Sequence, residues 1–575
     1  MGSVNSSPRT FSPIDFMKRI PLLVTLVSTS LALCAHGFAQ ASSPNPIVVD
    51  TDKEPVAQGP FQPTWQSLAQ YQVPDWYRDA KFGIWAHWGP QCEAEDGDWY
   101  ARGMYFQGTP QYNYQLAHFG HPSKIGFKDV ANDWKAQNWD PEKLVALYKR
   151  AGAQYFFAMG NHHDNFDMWD STYQPWNAVN VGPHKDIIGG WAKAAHDNGL
   201  PFGVSLHAAH AWNFYEITQG SDKTGPLAGV PYDGKLTKAD GKGQWWDGLD
   251  PQDLYAQNHV PSVGWQKSGT IHTQWTYTNG SSIPDQAYCD KFYNRTADLI
   301  KKYHPDMIYF DDSVLPLYPI SDAGLKIAAD FYNSNMQQHN GKLEAVMFGK
   351  DLNPQQRQGV ALDIERGRSP SIDPVPWQTD TCIGNWHYQL SLFTGHHYKS
   401  AKGVVQSLID IVSKNGNLLL NIPVRADGTI DSDELNVVQN IGDWMEVNKE
   451  SIVGTRPWKV FGEGPSASVP TPPPGARLTF NEKGLKPFTS DDIRFTAKGN
   501  TVYGFVFGIP KKQITMKSLG ASSSIFNGKV TDVALLGDTG QTHWTQNDDA
   551  LVIDPPSAKP VTDYAVVYKI TVAPN

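Results

Sequence analysis

The chain has 575 residues, 40 % of them apolar and only 18 % charged, with 20 Trp, 24 Tyr and 25 Phe. That much apolar and aromatic material excludes a disordered chain and allows a large core. A net charge of −10 argues against a basic face for a phosphate backbone, so nucleic acid is not an expected partner; rings at low charge suit neutral, hydroxylated ligands, as they also suit a large core.

At the N-terminus, Met17-Lys18-Arg19 precedes an apolar run from Ile20 to Leu33 and then the small residues of "AHGFAQASS". This layout predicts an extension and secretory signal over residues 1–41, cleaved after Ala39 or Ala41. The apolar run is too short to span a bilayer, so the mature chain is expected without a membrane span, secreted or periplasmic. Cys34 leaves with the signal. Cys92, Cys289 and Cys382 have no zinc or redox spacing, and both a single bridge and three free thiols fit them. Residues 42–64 read as a leader segment.

From residue 65 to 460, β-like runs alternate with helical stretches. "KFGIWAH" (81–87), "QYFFAMGNHH" (154–163), "PFGVSLH" (201–207), "DMIYFDD" (306–312), "LEAVMFG" (343–349), "GVALDIE" (359–365), "WQTDTCI" (377–383) and "NLLLNIP" (417–423) are the predicted strands. Helices between them have recognisable ends, such as Asp140-Pro141 at one start and Gly152 or Asn198-Gly199 at stops. Eight strands interleaved with helices predict an α/β fold, a (β/α)8-like barrel. The stretch 211–283 is too long for an ordinary loop and is expected either to shape the barrel mouth or to be a solvated insertion. A Pro-rich linker is predicted over 461–475. Short strands separated by turn residues over 476–575 predict a smaller C-terminal antiparallel β-sandwich.

Barrel enzymes place their chemistry at the C-terminal ends of strands. In "MIYFDD", Ile308 and Phe310 belong against the helices, which aims Tyr309 and Asp311 into the mouth and selects Asp311 over Asp312. In "VALDIE", Val360, Leu362 and Ile364 face outward and Asp363 and Glu365 inward. Two carboxylates converging in an aromatic pocket suit glycoside hydrolysis, although Arg366 and Arg368 beside Glu365 also fit a structural ion pair. His87, His162, His163 and His207 end the first three strands. Hydrogen bonding to sugar hydroxyls accounts for them better than a metal, because neighbours on a strand face opposite ways. Asp98 and Trp99 in "DGDWY" set a polar group beside a stacking ring.

The blocks "WYRDAKFGIWAHWGP", "GAQYFFAMGNHHDNFDMWDS", "YHPDMIYFDD", "DIERG" followed by "PWQTDTCIGNWHY", and "LIDIVSKNGNLLLNIPVRADGTI" resemble the α-L-fucosidase family of retaining glycoside hydrolases over about residues 65–575. The resemblance implies double displacement without a cofactor or metal, acting on a fucosylated oligosaccharide or glycoconjugate. It implies Asp311 as nucleophile, Glu365 as acid/base, and His87, Asp98, Trp99, His162, His163, His207 and Tyr309 as sugar contacts, with Trp386 a pocket wall. The chain departs from the family pattern in having Asp98 for a common Glu, Tyr309 for a common Trp, and "VSLHAAH" for a common Tyr-Tyr-Ser run. A related sugar such as an α-L-galactoside, an inactive carbohydrate-binding protein and a metal-dependent hydrolase are the competing readings.

Overall fold

The computed structural model describes residues 46–268, 274–468, 478–484, 486–557 and 559–574; the signal predicted over 1–41 lies outside them. Among the described residues, eight parallel strands close a barrel: β1 (Phe82–Ala86), β2 (Tyr155–Asn161), β3 (Phe202–Leu206), β4 (Met307–Ser313), β5 (Val346–Lys350), β6 (Ala361–Asp363), β7 (Trp377–Cys382) and β8 (Gly416–Asn421). Each pairs with the next, and β1 closes on β8 with Phe82 opposite Leu418. All eight fall on predicted runs.

Alternation divides the side chains of the barrel into two sets. Trp85, Tyr155, Phe157, Met307, Tyr309, Phe348 and Leu419 fill its interior, whereas Ile84, Phe156, Ile308, Phe310 and Met347 pack under the helices. The interior is crowded enough to require a glycine: a Cβ on Gly83 would lie 2.1 Å from the Tyr155 ring. The long apolar strands thus face two dry layers, as a parallel barrel demands.

Residues 46–64 are more than a leader. Val49 and Phe61 are buried, and Asp330 and Asn333 of helix Ala323–Gln338 accept the backbone amides of Ala57 and Phe61. The stretch 211–283 returns to the barrel mouth and supplies Trp275 and Thr276 to the cavity there. Cys92, Cys289 and Cys382 are buried and unbridged.

Beyond the barrel, β9 (Arg456–Glu463), β10 (Ile493–Lys498), β11 (Thr501–Phe507), β16 (Ala565–Val572) and β13 (Val530–Leu535) form one antiparallel sheet. β12 (Ile514–Met516), β15 (Leu551–Ile553) and β14 (Trp544–Gln546) form a second, three-stranded sheet. The predicted linker therefore starts too early. "RPWKVFGE" pairs with β10 as an edge strand up to Glu463, because its proline sits at the strand start, where a ladder tolerates it. Residues 469–475 of that linker lie outside the described residues.

A buried ion cluster joins barrel and sandwich. Asp410, on helix Ala401–Ser413, accepts from Arg494 Nε of β10 at 2.7 Å and Lys414 Nζ at 2.9 Å, with Arg368 Nη1 at 3.4 Å. Burial alone would raise the Asp410 carboxyl, but Lys414, Arg494 and Arg368 together hold it below its ordinary range. Replacing Asp410 with Ala strands these cations in a dry site and is expected to cost about 3–5 kcal/mol, read as a lowered urea midpoint at pH 7. Because the folded carboxyl is depressed, the stabilisation is present above the ordinary Asp range and is lost as pH falls below it. The gap between wild type and Asp410→Ala should therefore narrow in acid.

Candidate active site

A cavity of about 940 Å³ opens at the C-terminal ends of the barrel strands. β4 turns Tyr309 and Asp311 into it, while Asp312 turns away and meets His210 Nε2 at 2.8 Å. Glu365 reaches the rim by another route than a continuous strand. β6 stops at Asp363, but the Ile364 and Arg366 amides still donate to the Gln378 and Asp380 carbonyls of β7 at 2.9 and 2.8 Å. The alternation is carried two residues further, so Glu365 faces the cavity as its parity predicts.

β5 ends in Lys350, whose ammonium donates to Asp311 Oδ1 and, at 2.7 Å, to Glu365 Oε2. Two oxygens on one nitrogen at hydrogen-bond distance are at most about 6 Å apart. Only parity marks Lys350 in the sequence: it is in phase with interior Phe348, one residue past the predicted strand. The ammonium also stands over Tyr309, with Nζ 5.5 Å from the ring centroid.

This ammonium sets the electrostatics of the rim. Burial would raise the Asp311 carboxyl, but the Lys350 ammonium, with the His163 and His207 rings close to Oδ2, holds it well below the usual carboxylate range. Glu365 goes the other way: burial first, then the Asp311 charge, outweigh Lys350 and push it up to about 7. One carboxylate is kept ionised beside another that holds its proton near neutrality. Beneath them Tyr309 donates to Asp380 Oδ2 at 2.9 Å and Gln378 donates to Asp363 Oδ2 at 2.9 Å. Burial, with Asp380 alongside, raises Asp363 well above its ordinary range, and burial raises Asp380.

His87, His162, His163 and His207 follow the C-terminal ends of β1, β2 and β3. β2 ends at Asn161, and His162 and His163 follow it in non-strand backbone with ring centroids 4.3 Å apart; the expectation that neighbouring rings face opposite ways fails because the strand breaks before them. His163 Nε2 and His207 Nδ1 approach Asp311 Oδ2 at 3.4 and 3.3 Å. The Ser205 hydroxyl is 3.2 Å from His207 Nε2; with the hydroxyl donating there, the neutral ring carries its proton on Nδ1, toward Asp311. Burial lowers His207 to about 4 against the pull of Asp311, so the ring is neutral when it donates.

His87, His162 and His387, and likewise His162, His163 and His207, bring ring nitrogens within 4.8 Å of one another, close enough to share a metal ion. The donor pattern favours hydroxyl binding. Gln91 accepts the Ala101 amide with Oε1 and donates Nε2–H to His162 Nδ1 at 2.6 Å. His162 Nε2 therefore carries the proton and points toward Asp98 Oδ1, 4.0 Å away. Asp98 itself is held by His387 Nδ1 at 2.6 Å. Burial, reinforced by the neighbouring rings, lowers His87 and His162 well below the ordinary histidine range, leaving neutral donors and acceptors.

Of the sequence-predicted site residues, His87, Asp98, Trp99, His162, His207, Tyr309, Asp311, Glu365 and Trp386 line the cavity. His163 sits behind it, against Asp311. Reasoning from sequence missed Lys350, Asp380, His387, Trp275 and Phe480. The inward parity of Gln378 and Asp380 in "WQTDTC" could have found Asp380, and that of Val346 and Phe348 could have found Lys350; no local pattern marks the others.

The chain is matched over residues 48–450 by the family model described as alpha-L-fucosidase. It is 23 % identical over 534 residues to the tissue alpha-L-fucosidase of Homo sapiens, covering 89 % of this chain and 92 % of that protein. The alpha-L-fucosidase of Dictyostelium discoideum is 24 % identical over 496 residues, covering 84 % and 87 %. Among solved structures, the Thermotoga maritima alpha-fucosidase in complex with fucose superposes with a TM-score of 0.63 at 21 % identity, covering 89 % of this chain and all of that one.

Proposed function

The chain belongs to the α-L-fucosidase family of glycoside hydrolases, and from that premise we propose that it removes terminal α-L-fucosyl groups from glycans by a retaining double displacement. The observation that carries this reading is the single ammonium of Lys350 holding Asp311 and Glu365 together. Two oxygens sharing one ammonium lie at most about 6 Å apart, closer than the roughly 6.5–9.5 Å that an inverting pair needs to seat a water and compatible with the roughly 5–5.5 Å of retaining pairs.

Asp311, ionised, attacks the anomeric carbon, and Glu365 gives its proton to the departing glycosidic oxygen. The resulting fucosyl ester is hydrolysed when Glu365, now ionised, takes a proton from water attacking the same carbon. Lys350 and His207 share the negative charge of Asp311 before attack and so hold it as a carboxylate. His87, His162 and Asp98 hydrogen-bond the ring hydroxyls. His387 positions Asp98, and the rings of Trp99, Trp275 and Trp386 give the deoxy carbon an apolar wall. No step calls on a cofactor. Export to the periplasm or medium is proposed on the pattern from Met17 to Ala41, and no helix among the described residues is long and apolar enough to cross a membrane.

A proton NMR time course on an aryl α-L-fucoside tests the reading. The α-anomer of L-fucose is expected to appear first, with the β-anomer growing in by mutarotation. The β-anomer first would make the enzyme inverting, and turnover of an aryl α-L-galactoside in preference would change the sugar but not the machinery.

A further inference from the structure

Phe480 reaches the catalytic cavity from an unexpected part of the chain, the segment between barrel and sandwich, about a hundred residues past the last site residue on the barrel. Its backbone has φ +60, a left-handed conformation that a bulky aromatic residue seldom adopts and that glycine would take without strain. The turn is enforced from both sides. The Phe480 amide donates to the carbonyl of Glu365 at 2.8 Å and the Glu482 amide to that of Arg366 at 3.1 Å. Asn481 Oδ1 accepts the Arg368 amide at 3.1 Å while its Nδ2 donates to the Arg368 carbonyl at 3.0 Å. A Cβ on Gly367 would lie 2.1 Å from the Leu478 carbonyl oxygen, so the two backbones are in direct contact.

This zipper fixes the loop that carries Glu365, yet it uses backbone and Asn481 and owes nothing to the phenyl ring. The ring is 45 % exposed and, among the described residues, joins neither the barrel clusters nor the sandwich cluster. It lines the cavity, and the bond from its amide to the Glu365 carbonyl puts it on the Glu365 side. Glu365 protonates the oxygen that leaves, so a ring beside it faces the sugar that carries the fucose rather than the fucose itself. The cavity, about 940 Å³, has room for more than one pyranose.

We propose that Phe480 is the stacking platform for the leaving sugar, a neutral pyranose whose apolar face lies on the ring, and that this subsite is delivered by the segment preceding the sandwich. The proposal rests on the fucosidase reading and on Glu365 as its acid. An aromatic face against a pyranose recovers apolar burial without desolvating a charge. It also accounts for an aromatic residue at a backbone position better suited to glycine.

The test compares kcat/KM on α-L-fucosyl fluoride, which has no leaving sugar, with kcat/KM on whichever of the α-(1→2), (1→3), (1→4) and (1→6) fucosyl disaccharides the wild type cleaves fastest. Phe480→Gly suits the backbone conformation and keeps the zipper while removing the ring. Phe480→Trp keeps a platform. The ratio of disaccharide to fluoride kcat/KM is expected to fall roughly tenfold in Phe480→Gly and to stay within a factor of about three in Phe480→Trp. An unchanged ratio in Phe480→Gly, whether both rates fall together or neither moves, overturns the platform. So does a wild type that hydrolyses the fluoride but none of the disaccharides. Failure of the wild type on the fluoride would instead overturn the fucosidase reading.

Discussion

Replacing Asp311 with Gly is expected to lower kcat on an aryl α-L-fucoside by roughly a thousandfold or more, with azide restoring part of the loss. The side chain removed is the one carboxylate that Lys350, His163 and His207 all converge upon, so no neighbouring acid is prepared to replace it. Asp312 is turned onto His210, and Asp363 and Asp380 lie deeper, raised by burial toward their protonated forms. Glycine leaves space on the attacking side. Azide entering there would give a fucosyl azide of inverted configuration, which NMR identifies directly. A second effect follows from the charge: the Asp311 carboxylate pushes Glu365 up, so in Asp311→Gly the Glu365 carboxyl should titrate below about 7 and the alkaline limb should move down. Near wild-type kcat in this variant, or rescue yielding the retained azide, would move the nucleophile elsewhere.

How far the sequence could be read depended on what each feature asks of neighbouring residues alone. The barrel was legible because strands covered on both faces are nearly continuous apolar runs, and eight of them alternate with capped helices. Asp311 was legible by parity, since Ile308 and Phe310 on the outer face leave the other phase for the interior. Glu365 was reached by the same parity although β6 ends two residues earlier, because the Ile364 and Arg366 amides keep bonding to β7. Parity misled at His162 and His163, where the backbone leaves the strand and both rings turn to one side.

The roles of Lys350, His387 and Phe480 were out of reach for a different reason. Each acquires its role from a partner distant in the chain: Asp311 lies 39 residues before Lys350 and Asp98 lies 289 before His387. No composition or spacing encodes such a pairing. The early start given to the linker has the same origin, since whether "RPWKVFGE" is a strand depends on β10 being there to pair with it.

Lys350→Met is expected to lower kcat/KM on phenyl α-L-fucoside by roughly a hundredfold at the wild-type optimum and to move both limbs of its pH profile upward. The productive ionisation is Asp311 charged and Glu365 protonated. The acid limb therefore reports Asp311 and the alkaline limb Glu365, as apparent constants of the pair. In the native site the ammonium opposes burial at both carboxyls, holding Asp311 well below its ordinary range and limiting the rise of Glu365 to about 7. Without it, burial and mutual repulsion act on Glu365 with no cation beside it and on Asp311 against the histidines alone. Asp311 then takes up a proton at higher pH than before, so activity is lost earlier on acidification. Glu365 keeps its proton to higher pH, so activity persists further into alkali. A substrate with a poor leaving group is needed, because an activated one departs without the proton and hides the alkaline limb. Methionine approximates the length of the lysine stem without the ammonium that stands over Tyr309, which separates loss of charge from loss of packing. Lys350→Arg should bring the limbs back toward wild type even if the rate stays low. Limbs unmoved in Lys350→Met, with the rate reduced, would mean that Lys350 acts on the sugar and leaves the two acids as they were.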